Sequence, residues 1–591
     1  MTIENRLQVL RETMREHDVD YYLVPSIDAH NSEYVPTCWE RRTWISNFTG
    51  SAGEVLVGMD HAYLSTDGRY FLQANQELDS NYYSLIKQLG FVSELELFLQ
   101  ANASNKSIGV DPKVIGIGRF TRLQQLMNDI GGKLVSIEDN LIDISKNKLG
   151  EEVILPNKKI MLLDDKFSGF STKDKLIWLR SELLENKADY ILLNVLDEIA
   201  WLLNIRGYDV DFNPYTISYA IIGENSATLL VDNEKLNDEI LAQFKELNIK
   251  TADYDQFAAE VAKISDVIML DDATASQWML DCVLKVGKAK FVKSPIVIAK
   301  ACKNEIEKEG MRLAHRKDAV AVIKFLTWIN SNWQKGLDEI SSSDKLESFR
   351  KEQANFYGLS FSTISGYADH GAIIHYRASE KSKKTISNDA MYLLDSGGQY
   401  FEGTTDITRT LHLGTPTNEE KKHYTLVLKG HLALGRAKFL EGTKGEHLDI
   451  LARMPLYNEL LNYRHGTGHG VGCFLGVHEG PQKISTAASN VPLMSGMVVS
   501  NEPGLYLEGQ YGIRIENLVL VNEIHQESEY GQFFEFESLT LVPYCKKLID
   551  FSMIDAAELN QIKVYYKKIE TVVLPLLDSN SASWLKQELA I

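Results

Sequence analysis

Five short segments in the later part of the chain carry residue types able to do chemistry together. Asp395 in YLLDSGGQY and Asp406 in GTTDITRT stand in apolar or β-branched runs with a glycine-rich turn between them, the pattern of a hairpin. Pairing the two runs brings both carboxylates to one side, where two unneutralised charges repel unless a cation lies between them. HGTGHGVG presents the imidazoles of His465 and His469, and its glycines let the backbone pass close to a site. In SNEPG, Pro503 and Gly504 end an apolar strand and set the direction of Glu502. In GIRIEN, alternation along one strand puts Arg514 and Glu516 on one face and Ile513 and Ile515 on the other. Taken singly, these are ordinary turn, cap and ion-paired strand residues. Combined, the four carboxylates of Asp395, Asp406, Glu502 and Glu516 with the His469 imidazole form an oxygen-rich set suited to two divalent ions of the manganese, cobalt or zinc kind. Two such ions lie about 3.5 to 4 Å apart and turn a shared water into a hydroxide nucleophile near neutral pH, so hydrolysis is the natural chemistry.

These segments need a scaffold that brings strand ends together. From about Lys300 a charged stretch with apolar residues at helical spacing, KNEIEKEGMRLAHRKDAVAVIKFLTWINSNW, opens a region of glycine-punctuated strands. Nine of the fourteen histidines fall between His370 and His478, which places the chemistry in this region. Upstream, LQVLRETMREHDVDYYLVPSIDAH reads as an amphipathic helix followed by an apolar strand, and LIWLRSELLENKADYILLNVLDEIAW repeats it at an offset of 169 residues. GEVLVGMDHAYLSTDGRY and YAIIGENSATLLVDNEK then repeat a two-strand unit, so two copies of one α/β domain are expected. With 591 residues the chain exceeds a single core. We expect three domains, residues 1–151, 152–300 and 301–591, the last ending in a helical extension from Ser552 to Ile591.

The balance of the composition excludes several classes of function. A formal charge of -19 without an acidic block makes a solvated acidic surface and argues against nucleic acid as a partner. Cys38, Cys282, Cys302, Cys473 and Cys545 are odd in number and far apart, which fits a reducing compartment and a cytoplasmic location. The N-terminus has no apolar signal-type core and no later run has the length of a membrane span, so neither export nor membrane insertion is expected.

In their order and flanks, Asp395, Asp406, His469, Glu502 and Glu516 resemble the ligands of the pita-bread metallopeptidases, which include methionyl aminopeptidases, prolidases, aminopeptidases P and the metal-free creatinases. His375 in GAIIHY, His465 in HGTGH and His478 in GVHEGP match the histidines that the proline-specific members place around the scissile bond. SIDAHNSEY, FTGSAG, STDGRYFLQA, GVDP, SPIVIAKA and GTKGEHLD extend the resemblance over nearly the whole chain, to the long cytosolic Xaa-Pro aminopeptidases of three domains. That resemblance implies an α/β (α+β) protein, with two related creatinase-like α/β domains before a C-terminal pita-bread catalytic domain. It further implies a homodimer, two divalent ions (Mn2+ foremost, with Co2+ or Zn2+ possible) and peptide substrates with proline in the second position.

In the mechanism so implied, Asp406 and Glu516 bridge the ions, Asp395 serves one, and His469 with Glu502 serves the other, while a bridging hydroxide attacks the carbonyl before proline. Glu502 also relays a proton. The leaving nitrogen lacks N–H, so the site needs apolar contact for the ring and donors for the oxyanion. His375 and His478 are the donor candidates, with His465, Arg514 and Tyr506 walling the proline pocket. Arg377, His370 and Leu505 depart from the family's usual residues, which touches size preference around the proline rather than the reaction. The rival readings are a prolidase cleaving Xaa-Pro dipeptides and a non-catalytic pita-bread binding module; the latter predicts lost ligands, and all five are present.

Overall fold

The computed structural model describes residues 1–90 and 92–591. It divides into two compact units, Met1–Leu162 with Phe170–Ile296, and Leu163–Gly169 with Val297–Ile591. The first unit holds two six-stranded sheets. One contains β1 (Tyr21–Val24), β2 (Glu54–Gly58), β3 (Ala62–Asp67), β4 (Tyr83–Gln88), β5 (Ser107–Val110) and β6 (Lys133–Ser136), in the order β4-β3-β2-β1-β5-β6. The other contains β7 (Tyr190–Leu193), β8 (Tyr219–Gly223), β9 (Ala227–Leu230), β10 (Ile249–Ala252), β11 (Val267–Leu270) and β12 (Lys288–Phe291), in the matching order β10-β9-β8-β7-β11-β12.

The duplication read from the sequence is therefore a duplication of topology, and it extends to local detail. Helices Ile3–Glu16 and Thr172–Glu185 begin and end 169 residues apart. Each starts from a hydroxyl cap, Thr2 accepting from the Asn5 N–H and Ser171 from the Asp174 N–H, which satisfies a donor the helix itself cannot. Asp18 and Lys187, again 169 apart, both take positive φ (54° and 49°) where each helix turns into its strand. Leu10 and Leu179 occupy the same fully buried position.

The second unit opens with the helix Glu305–Asn332, started by a reciprocal cap between Asn304 and Glu307. Ala319, Val322, Ile323, Phe325, Leu326 and Ile329 at helical spacing bury its inner stripe. That core also takes Ile562, Tyr565, Tyr566 and Ile569 of Ala556–Val572 and Leu585 of Ser579–Leu589, so the C-terminal helices are part of the second unit's interior. A three-stranded antiparallel sheet is formed by Ile364–Tyr367, Met391–Ser396 and Ile407–His412. A six-stranded sheet follows the order Lys438–Leu440, Phe533–Ser538, Asn517–Ile524, Val498–Asn501, Gly468–Gly470, Glu479–Ile484. Among the described residues no helix is long and apolar enough to cross a membrane.

Candidate metal centre

Each of the five expected ligand residues sits at a strand end or on a very short strand. Met391–Ser396 and Ile407–His412 pair antiparallel with Asp395 opposite Thr408. Asp406, two residues before Thr408, shares its face, so both carboxylates come to one side of the pair as the spacing required. The turn between them is more elaborate than a simple hairpin loop, since Gly398–Tyr400 and Gly403–Thr404 form a further small pairing within it. His469 is the centre of Gly468–Gly470. A Cβ on Gly468 would lie 2.0 Å from the Ser500 carbonyl and one on Gly470 2.1 Å from that of Glu479, so glycine on both sides is what lets this strand enter the sheet. Glu502 directly follows Val498–Asn501, and its N–H donates to the Thr467 carbonyl at 2.8 Å.

One sequence expectation needs correcting. GIRIEN is not a single strand: Tyr511–Arg514 pairs with Gly504–Leu507 in a separate ribbon, and Asn517–Ile524 belongs to the six-stranded sheet. Glu516 lies in the break, because its N–H is taken by the Thr408 carbonyl at 3.2 Å. Arg514 and Glu516 nevertheless reach the same place. Arg514 Nη2 donates to Asp395 Oδ2 at 2.6 Å, and Thr408 Oγ1 donates to Glu516 Oε2 at 2.7 Å.

Ligand atoms of Asp406, His469 and Glu516 lie within 4.8 Å of one another. His469 Nε2 is 3.5 Å from Asp406 Oδ2 and 3.6 Å from Glu502 Oε1. His469 Nδ1 donates to the Gly470 carbonyl at 2.9 Å, which turns Nε2 toward the carboxylates as the atom through which the ring would ligate. The floor is closed, with Asp395 7% and Glu516 1% exposed, while the side chains of Glu502 and His469 are 17% and 23% exposed. Reactants therefore approach from the His469 and Glu502 side.

The electrostatics fit a pair of divalent ions. Asp395 Oδ1 and Asp406 Oδ1 are buried without a hydrogen-bond partner, an arrangement that costs free energy unless a cation supplies the missing interaction. Burial, aided by Asp406 and Glu502, pushes the Asp395 carboxyl up to about 7 against the pull of Arg514. Burial and neighbouring carboxylates also raise Glu502, and raise Glu516 well above the usual range. Burial alone would lower His469, but Asp406 and Glu502 overcome it and hold the imidazole at about 9. Three acids raised in this way around one raised imidazole form a site built for positive charge.

A pH test follows. A group whose folded value is raised stabilises the fold while protonated, and that stability is lost as pH rises through the folded value. For Asp395 the window runs from 3.8 to about 7, and for His469 from 6.5 to about 9. The melting temperature of metal-free protein is expected to fall from about pH 5 to about pH 9, and the gain on adding metal to widen over the same range. Scanning fluorimetry across that series checks it. A metal-free melting temperature that rises with pH would contradict the repulsion described.

Of the three histidines expected around the scissile bond, His478 and His465 lie against this cluster, and His375 follows a residue that meets Arg514. The His478 ring lies edge-on to His469 with centroids 4.4 Å apart, and His478 is exposed. His465 Nδ1 donates to the Gly466 carbonyl, so Nε2 accepts from the Tyr506 hydroxyl at 2.8 Å, and that oxygen receives Arg514 Nη1 at 2.6 Å. Burial pushes the Tyr506 phenol up to about 12, which keeps it a neutral donor. His375 is half-buried, and the carbonyl of Ile374 beside it accepts from Arg514 Nη2 at 3.4 Å.

Two residues that sequence reading passed over hold these groups in place. Thr408 bridges Glu516 and Arg514, and its position two residues from Asp406 was a legible signal. Glu339, fully buried, accepts from the N–H groups of Tyr367 (2.7 Å) and Lys384 (2.8 Å) and the Tyr376 hydroxyl (3.0 Å). It also lies 2.9 Å from His370 Nδ1, and His370 stacks on Tyr376, so this carboxylate pins the loop that carries His375. No local pattern marks Glu339, because its partners lie 28 to 45 residues away. Of the departures from the family pattern, His370 is thus part of the loop anchor, Arg377 is exposed, and Leu505 is buried in the core.

Comparison with known proteins agrees with this geometry. The model of Metallopeptidase family M24 matches residues 309–523 and that of the C-terminal region of peptidase M24 residues 532–590. The Creatinase/Prolidase N-terminal domain matches twice, over residues 6–144 and 152–307. A probable Xaa-Pro aminopeptidase P of Botryotinia fuckeliana is 43% identical over 605 residues, covering 99% of this chain and 92% of the relative. One of Neurospora crassa is also 43% identical, with 99% and 88% covered. Among solved structures, an X-prolyl aminopeptidase from Caenorhabditis elegans, described as a cytosolic enzyme with a di-nuclear active site, matches with a TM-score of 0.94 at 34% identity, covering 100% of this chain and 99% of its own.

Proposed function

Because this chain belongs to metallopeptidase family M24, we propose that the centre at Asp395, Asp406, His469, Glu502 and Glu516 releases the N-terminal residue from peptides with proline in the second position. The observation that carries this reading is the convergence of four acids and an imidazole into one charge-frustrated cluster, with His375, His465 and His478 at its edge. The fold is the pita-bread catalytic domain preceded by two creatinase-like α/β domains. We place the boundaries at residues 1–151, 152–300 and 301–591.

Asp406 and Glu516 would hold both ions, Asp395 one, and His469 with Glu502 the other. When bound, the ions supply Lewis acidity and an activated water for hydrolysis. The rest of the work belongs to the chain. Glu502, at the open side, takes a proton and returns it to the imide nitrogen as it leaves. His478 and His375 donate to the oxyanion that develops on the carbonyl before proline. His465, Tyr506 and Arg514, locked to one another by hydrogen bonds, wall the space for the proline ring. The acidic cluster holds the substrate's free amine, so a peptide with a blocked N-terminus is refused. Manganese is the expected ion, with cobalt and zinc as alternatives, and a cytoplasmic homodimer is the expected form. Support for the location comes from the nematode relative's description as cytosolic.

A prolidase would use the same centre on dipeptides only. We expect Arg-Pro-Pro to be cleaved at least about tenfold faster than Arg-Pro, a modest discrimination for a site that must hold the third residue. Rates on both peptides after reconstitution with manganese, cobalt and zinc, paired with elemental analysis, test substrate length and metal together. Cleavage of the dipeptide alone would give the prolidase reading.

A further inference from the structure

The duplication supplies an internal control for the two N-terminal sheets, and at one place the copies differ. Beyond the carboxyl ends of β1, β3 and β4, the first copy encloses a cavity of about 290 Å³ whose polar lining includes Glu54, Ser65, Asp67, Gln88 and Arg119, with Gly116 beside them. Glu54 opens β2 and pairs with Ser65; in the second copy Tyr219 opens β8 and pairs with Leu230. Arg119 is the third residue of the helix Ile117–Asp129; its counterpart in Gln277–Leu284 is Met279. Tyr219, Leu230 and Met279 are 3%, 0% and 0% exposed and belong to one apolar cluster. The helix cap differs as well: Ser276 accepts from the Met279 N–H, whereas Gly116 has no side chain to cap its helix. The same architectural position is thus filled with core in one copy and hollow and charged in the other, although filling it costs the fold nothing and stabilises it through apolar burial.

We propose that this cavity binds a free amino acid or dipeptide as a zwitterion, at a site separate from the metal centre. An open α/β sheet offers its crevice beyond the carboxyl ends of its strands. The volume, at roughly 30 Å³ per water, corresponds to about ten waters and falls near the small end of ligand pockets, which selects an amino acid or dipeptide over a nucleotide. The charges select its type. Glu54 meets the Arg119 guanidinium at the cavity, with Nη2 to Oε2 at 2.5 Å between partly exposed groups, whereas Asp67 is already held by both arms of Arg69. A ligand carboxylate takes up Arg119 at the uncapped helix N-terminus, and its ammonium takes up the Glu54 carboxylate so released. An anion alone would leave the Glu54 carboxylate unpaired, and a cation alone would leave Arg119 unused.

Isothermal titration of the metal-loaded full-length protein with L-leucine tests the site. The wild type is expected to show one more binding site than a variant carrying Glu54→Tyr, Ser65→Leu and Arg119→Met, the residues of the second copy, while both hydrolyse an Xaa-Pro-Yaa peptide at the same rate. Should the triple variant misfold, Arg119→Met alone is expected to weaken that extra site at least about tenfold. L-leucinamide and N-acetyl-L-leucine, each lacking one charge, are expected to bind it at least about tenfold more weakly than leucine. No extra site in the wild type at millimolar leucine, or an extra site unchanged by these substitutions, overturns the proposal.

Discussion

Replacing Glu502 with alanine is expected to lower kcat/KM on an Xaa-Pro-Yaa tripeptide by about three orders of magnitude or more, because under the proposed mechanism one substitution removes both a metal ligand and the proton relay. His469→Ala is expected to do the same by a different route, removing the only imidazole among the five. Both variants should hold less metal when purified and analysed for elemental content. Neither should unfold. Glu502 is partly exposed, its carboxylate accepts one bond from the Ser500 hydroxyl at 3.1 Å, and its loss relieves repulsion with Asp406 and Asp395. Circular dichroism should match the wild type for both variants, and the metal-free melting temperature of Glu502→Ala should match it closely. Turnover near the wild-type rate in either variant would remove the metal centre from the mechanism.

Arg409→Met is expected to cost about 3 to 5 kcal/mol and to loosen metal binding although Arg409 touches no ligand carboxylate. Arg409 is 1% exposed, and beside a longer contact to the Tyr565 hydroxyl (3.3 Å) its guanidinium donates five shorter bonds to buried acceptors: the carbonyls of Thr408 (2.9 Å), Glu516 (2.6 Å), Pro543 (3.1 Å) and Val542 (2.7 Å), and Asn517 Oδ1 (2.8 Å). One side chain thereby ties the backbone of a ligand residue to the segment leading into the C-terminal helices. Each acceptor left unpaired costs about 1 to 3 kcal/mol, reduced here by relaxation and by water. At about 2 °C per kcal/mol for a unit of this size, the melting temperature should drop by on the order of 6 to 10 °C. Chelator competition should show weaker metal retention, since Glu516 keeps its carboxylate but loses its backbone anchor. Arg409→Lys should recover part of both effects. An unchanged melting temperature in Arg409→Met would show that these five bonds carry no net stability.

The contrast between Glu502 and Arg409 marks the limit of what was legible. The ligand residues announce themselves through flanking text: a carboxylate after an apolar run, a histidine between glycines, a glutamate before Pro-Gly. Arg409 sits in the same DITRT segment as Asp406, yet nothing local shows that its partners lie at Glu516 and Val542, more than a hundred residues on. The single-strand reading of GIRIEN went wrong for a related reason. Alternation gave Arg514 and Glu516 a common direction correctly, but the Thr408 carbonyl claims the Glu516 N–H and divides the segment between two sheets.

From its sequence alone, this protein's duplicated helix and strand units and the order of its five proposed ligand residues were already legible, because periodicity and turn chemistry act over a few residues. Only the tertiary structure decided that Asp395 would be buried against Arg514, that Glu339 would hold the His375 loop, and that one of two equivalent sheets would keep a charged cavity where the other has a core. Those outcomes depend on which distant side chains share a low-dielectric space, and burial and charge are properties of that space rather than of the local chain.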